Sequence, residues 1–272
     1  MTKKNRLPKI AIPNRYEINL DVDIENFKYK GDEVIYIEIV EDTAEIELNA
    51  LGIQVQNAFV ENDNNMHHEA SVNYIKEEEK IILTFEETVK AGDWKLYINF
   101  DAQIVDDLRG FYRSSFKDSK GLQKWIATTQ FEPTAARMAF PCWDEPEYKA
   151  VFSISLTSNS ELVRISNEKV LSESTENGKT TTKFVDSIYG RAIMLMLVVW
   201  LLSEEHYTIA ICIIIVIIHT LYWRRERDDY KLVKYTINTE TSSEKAGKCS
   251  REGIRHPESE REVPGPQNGN EF

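Results

Sequence analysis

Cysteine is scarce in this chain, and its three copies, Cys142, Cys212 and Cys249, fall in stretches of quite different character, so no disulfide framework is implied. Cys142 has no histidine near it in sequence and reads as a small buried hydrophobe rather than a nucleophile. Histidine is nearly as rare. The five copies are His67, His68, His206, His219 and His256, and none has another histidine four residues on, the spacing that lets two imidazoles share one helix face and converge on one metal ion. His68-Glu69 begins like such a site, but Val72 stands where the second ligand would be, and the polar setting reads as a solvent-exposed loop. The chain contains neither a glycine-rich phosphate loop nor a Gly-x-Ser-x-Gly elbow, which removes nucleotide hydrolysis and serine esterase chemistry. Basic charge is also in deficit. Lys plus Arg number 33 against 45 Asp plus Glu, a net charge of −12 that repels phosphate backbones and excludes nucleic acid as a partner. The first twenty residues hold no apolar run that could serve as the core of a secretory signal, and no Asn-x-Ser/Thr acceptor occurs in the sequence. These features favour a cytosolic origin for the first domain.

Short alternation of apolar and polar residues dominates the first part of the chain. Stretches 16–22, 34–39, 53–60, 80–85, 94–100 and 151–156 carry the period of half-buried strands, separated by polar breaks such as Asn62-Asp63-Asn64-Asn65 and Lys90-Ala91-Gly92-Asp93. With no helical apolar period between them, they predict a mostly β, antiparallel sandwich or saddle over residues 1–187.

The composition changes abruptly after Ser187. Residues 192–202 are apolar, Ser203-Glu204-Glu205-His206 interrupts, and residues 207–223 carry no formal charge before Arg224-Arg225-Glu226-Arg227. Seventeen helical residues span about 25 Å, at the short end of what crosses a hydrocarbon core of about 30 Å. Tyr222 and Trp223 at the rim and the arginines beyond predict a single-pass membrane helix within a hydrophobic segment, 188–223. A hairpin whose first leg is 188–202 is the alternative topology. Residues 224–272, rich in Ser, Glu, Lys, Gly and Pro, predict a polar disordered tail.

One stretch is specific enough to suggest ancestry: Thr128-Thr129-Gln130-Phe131-Glu132-Pro133-Thr134-Ala135-Ala136-Arg137-Met138-Ala139-Phe140-Pro141-Cys142-Trp143-Asp144-Glu145-Pro146. It resembles a signature of the zinc aminopeptidases of the aminopeptidase N, oxytocinase and puromycin-sensitive groups. The opening Leu7-Pro8-Lys9-Ile10-Ala11-Ile12-Pro13-Asn14-Arg15-Tyr16 and Gly110-Phe111-Tyr112-Arg113-Ser114 resemble the same family, and the likeness extends with falling specificity to Phe184. The resemblance implies an N-terminal β-domain whose loop projects Glu132 toward a neighbouring catalytic domain, to hold a substrate's α-amine. An exopeptidase must recognise a chain end, and a desolvated carboxylate grips a protonated amine strongly. Arg137, Asp144 and Glu145 are expected to hold the loop in shape.

The family's zinc motif, His-Glu-x-x-His with a distant third acidic ligand, and its Gly-Ala-Met-Glu-Asn-like segment are missing here. The expectation is therefore a catalytically incomplete, membrane-anchored family member without zinc of its own, inactive alone, whose partners are peptide N-termini or an aminopeptidase catalytic domain. Two alternatives stand beside it: the N-terminal part of an active zinc aminopeptidase whose catalytic domain is lost by truncation or rearrangement, and a β-sandwich adhesion module.

Overall fold

In β2 (Lys28–Ile39) every second residue from Tyr29 to Ile39 is buried while its neighbours are partly or fully exposed, the signature of a strand with one face on a core. The computed structural model describes residues 6–201 apart from 119, 193, 194 and 196. Within them the chain is almost entirely β.

The strands in chain order are β1 (Ala11–Asp23), β2, β3 (Thr43–Asn49), β4 (Ile53–Glu61), β5 (His67–Ile75), β6 (Lys80–Val89), β7 (Gly92–Gln103), β8 (Gly110–Lys117), β9 (Gln123–Gln130), β10 (Val151–Asn159), β11 (Leu162–Ser166), β12 (Val170–Glu176), β13 (Lys179–Phe184) and β14 (Leu197–Leu201). Ten of them form one sheet in the order β12-β13-β10-β1-β2-β7-β4-β5-β6-β3, and four form a second in the order β11-β14-β9-β8. All pairings are antiparallel except β1 with β10, which run parallel from Arg15–Val151 to Asp21–Thr157. Aromatic contacts tie the two sheets together: Tyr29 meets Phe111 at 5.0 Å between ring centres, and Phe27 meets Trp125 at 4.9 Å. Arg113 of β8 lies 4.0 Å over the Phe27 ring, where its charge faces the π-cloud.

Local chemistry sets the tightest turn. Asn177 and Gly178 both take positive φ, 51° and 77°, as a two-residue hairpin requires, and they bring Glu176 opposite Lys179. Each of the six stretches read as strands from alternation lies within or overlaps a strand, and the mostly β class holds. Three departures stand out. His67 and His68 open β5 instead of sitting in a loop, and the His68 side chain is only 9% exposed, against the Trp94 ring at 5.6 Å, with Nδ1 3.6 Å from Glu87. Sequence alternation is weak there because β5 has no fully buried residue.

The second departure concerns the expected hydrophobic segment. Its first apolar stretch contains β14, which inserts between β9 and β11, so residues 197–201 belong to the β-domain and not to a membrane leg. Leu197, Val198 and Val199 are buried in that sheet, which accounts for their apolar character without lipid. The stretch 207–223 and the tail 224–272 lie outside the described residues. Among the described residues no helix is long and apolar enough to cross a membrane. Third, one edge of the large sheet, β12, is exposed along its whole length, and apolar periodicity could not reveal it.

A close approach governs the middle of β2. A Cβ built on Gly31 would fall 2.1 Å from the Phe100 ring, with three ring atoms inside 2.6 Å. Phe100 is itself buried and meets Tyr29 edge-on at 6.3 Å. Gly31→Ala should therefore force a buried ring out of place and lower stability by about 1–3 kcal/mol, measured as a reduced urea midpoint with unchanged m-value. A midpoint equal to the parent's would mean that the ring has room to retreat.

Candidate functional site

Between β9 and β10 the chain leaves the sheets for twenty residues, 131–150. Pro133, Pro141 and Pro146 have no backbone N–H to give a ladder, which keeps this stretch from adding another strand. Small residues let it lie close on the core: Ala135, Ala136 and Ala139 are fully buried. Phe131, Phe140 and Trp143 are the large anchors, with Phe140 edge-on to Phe131 at 6.0 Å and to Tyr16 at 6.3 Å. A single 3-10 turn, Ala136–Met138, turns the chain over, and the Glu132-Pro133 peptide is cis.

Several polar anchors fix the loop to the large sheet. Asn49, at the end of β3, exchanges backbone hydrogen bonds with Cys142 at 2.9 and 3.0 Å, and its side-chain oxygen accepts from the Asp144 N–H at 3.1 Å. The Leu51 N–H donates to the Arg137 carbonyl at 2.8 Å. Two tyrosines reach up from the sheet: Tyr29 donates its hydroxyl to the Ala139 carbonyl at 2.8 Å, and the Tyr16 oxygen accepts from the Trp143 N–H at 3.3 Å. The start of the chain closes over the far end, where the Leu7 N–H donates to Glu145 at 2.7 Å and Lys9 pairs with Glu147 at 2.6 Å.

At the centre lies an ion pair. Arg137 Nε donates to Asp144 Oδ2 at 3.0 Å and its NH1 to Glu79 at 3.1 Å, while NH2 reaches the Asp144 carbonyl at 3.3 Å. The side chain of Asp144 is 3% exposed and that of Arg137 11%, whereas Glu79 is half open to water. Burial pushes the Asp144 carboxyl above the usual aspartate range and outweighs the pull of Arg137. Burial likewise pushes the Cys142 thiol well up, so the inert reading of that cysteine agrees with its surroundings.

Glu132 stands at the outer turn of this loop, partly exposed, one residue after the buried Phe131 and one before the exposed Pro133. A shallow depression opens nearby between Pro133, Trp143, Glu145 and Arg191. The structure thus brings Arg137, Asp144 and Glu145 into one brace. Sequence reasoning missed the sheet's side of that brace, Asn49, Glu79, Tyr16 and Tyr29, because its members are scattered over the first eighty residues. Glu79, at φ 54°, closes the turn between β5 and β6 and there reaches Arg137.

Zinc does not fit these residues. Among the described residues no group of three His, Cys, Asp or Glu side chains could hold a metal ion. The fold and the loop together define a β-domain that braces an acid-bearing loop against its main sheet. Residues 12–189 match the peptidase M1 N-terminal domain, and the chain belongs to that family. It is 35% identical to Aminopeptidase M1 of Arabidopsis thaliana over 207 residues, covering 74% of this chain and 23% of that protein. Aminopeptidase M1-A of Oryza sativa subsp. japonica is 37% identical over 175 residues, 62% of this chain and 20% of that protein. The puromycin-sensitive aminopeptidase of Caenorhabditis elegans is 34% identical over 179 residues, 65% and 19% of the two chains. The chain spans less than a quarter of the length of these curated relatives.

Removing the arginine of the brace leaves a buried carboxylate with its charge unmatched. Arg137→Ala should cost about 3–5 kcal/mol, and Arg137→Lys, which keeps the charge but not the fork, should cost less. Chemical denaturation of the three proteins checks this order, and a loss below about 1 kcal/mol for the alanine variant would mean that water replaces the guanidinium.

Proposed function

We propose that this domain serves peptide N-terminus recognition in an M1 aminopeptidase, with Glu132 as the residue that faces the substrate's α-amine. The observation that carries the reading is the position of Glu132: an acid in the outer turn of a loop that the sheet holds from several directions at once. Rigid placement matters because a carboxylate that must be immobilised on binding spends affinity on ordering itself.

Magnitude decides whether the domain works alone. An ion pair open to water contributes about 0–1 kcal/mol, whereas micromolar affinity requires about 8 kcal/mol. Glu132 becomes effective only when a second surface desolvates it, and a catalytic domain of the same family is the surface that suits it. Zinc and hydrolysis belong to that domain in this proposal. The chain as it stands neither retains stoichiometric zinc nor releases amino acids from peptides, and supplying a related catalytic domain in trans restores cleavage. In that assay Glu132→Ala should raise KM for peptides with a free N-terminus at least tenfold, while N-acetylated peptides stay uncleaved with either protein. Equal KM values for parent and variant would remove Glu132 from the site.

Attachment to membranes is a second part of the proposal, supported by the uncharged stretch 207–223 and the arginines that follow it. Because β14 is part of the domain, the informative deletion is 207–223 and not the whole of 188–223. The full chain should stay in the membrane fraction after a carbonate wash, and the deletion variant should leave it. A full chain released by the wash would rule out a span.

A further inference from the structure

Glu33 is out of keeping with its surroundings. It sits in the middle of β2, opposite Ile18 of β1 and Ile98 of β7, and is 2% exposed. Neither carboxyl oxygen has a hydrogen-bond partner among the described residues. A buried group of this kind is costly whichever form it takes, and far more so when charged. The face of β2 that carries Glu33 is the one beneath the 131–150 loop, since Tyr29, four residues earlier on the same face, donates to Ala139. A charge on Glu33 is felt both at the Tyr16 hydroxyl from β1 and at the Cys142 thiol from the loop.

The neighbours offer little to stabilise a negative charge. From β1 the titratable group is Tyr16, already engaged with Trp143, and from β2 itself it is Tyr29, engaged with Ala139. β7 presents Leu96, Ile98 and Phe100, with nothing to donate. The loop brings Cys142 and Asp144, both of which oppose a further negative charge, and Arg137, which is committed to Asp144 and Glu79. On one side of the carboxyl is a continuous sheet, which water cannot enter without breaking the ladder. On the other is an irregular loop held by individual hydrogen bonds.

We propose that Glu33 is a pH-sensitive latch for the 131–150 loop: as a neutral acid it lets the loop lie closed on the sheet, and as a carboxylate it draws water beneath the loop and loosens it. Burial holds the Glu33 carboxyl well above the usual glutamate range in the closed form. In the opened form, where water reaches it, it returns toward the ordinary glutamate range. The closed form therefore keeps a proton that the opened form releases. Closure is fully favoured below the opened-form value and weakens by up to tenfold per pH unit above it, until the pH passes the closed-form value. The consequence for Glu132 rests on the function proposed above, but the latch itself does not.

Cys142 supplies the readout, because it is fully buried in the closed loop and belongs to the same cluster. The test uses the full chain with Cys212→Ser and Cys249→Ser, leaving one thiol, and measures its maleimide labelling between pH 5.5 and 8.5. Dividing the rate in urea by the native rate at each pH gives a protection factor from which thiolate chemistry cancels. Protection of the Glu33 protein, relative to the same protein carrying Glu33→Gln, should fall by severalfold to tenfold per pH unit over part of this range. Glu33→Met, which removes the polar group altogether, provides the second comparison and should behave as the glutamine variant does. Parallel pH profiles in all three proteins would overturn the latch. So would a loss of protection that follows the urea midpoint, since that would report global unfolding instead of loop opening. Neither peptide nor catalytic domain enters the measurement, so its failure is distinct from a failure of the recognition role.

Discussion

The buried contact between Arg137 and Asp144 is the constraint on which the rest of the site depends. Its two residues lie seven apart in a stretch that three prolines keep from forming a regular strand, and it joins the 3-10 turn to the Trp143 segment while the backbone and tyrosine contacts hold the loop elsewhere. The pair is not a source of net stability by itself, because desolvating both groups offsets most of their attraction. Its value is geometric. The guanidinium fork reads an acid on the loop and another on the β5–β6 turn at once, and so sets where the loop lies relative to the sheet.

Around that pair the fold divides labour between two kinds of surface. The large sheet supplies an apolar floor of tyrosine, isoleucine and phenylalanine, and the loop supplies aromatic anchors separated by alanines small enough to bring its backbone within reach of tyrosine hydroxyls. Conflict with the usual rule of apolar cores is sharpest at Glu33, both of whose carboxyl oxygens are unpartnered among the described residues, under the loop that carries the acid of interest. Departures of this kind tend to gather at functional sites, where local consistency is given up for a task.

Much of the fold was legible in the sequence wherever one face is buried and the other wet. β1, β2 and β7 alternate cleanly because their pleats separate core from solvent, and the stretches read from them lie inside the observed strands. β5 and β12 were not legible, since the former has no fully buried residue and the latter is exposed throughout. β14 was obscured for the opposite reason: its described side chains are buried, and a continuous apolar run reads alike as inner strand or membrane segment. For the loop, the signature identified the members that are neighbours in sequence. Asn49, Glu79 and the two tyrosines were hidden because single residues in ordinary strands and turns carry no mark of what they will touch.

The parallel pairing of β1 with β10 sets an order of events during synthesis. β1 can find β2 at once, since the two are joined by a short turn, but its other edge stays open until residues 151–157 have left the ribosome. At ordinary translation speeds that wait is on the order of ten seconds, long compared with the time a hairpin needs to form. Through that interval the nascent chain presents an unpaired edge of alternating apolar residues, the kind of surface that chaperones bind and that neighbouring chains on the same message can join.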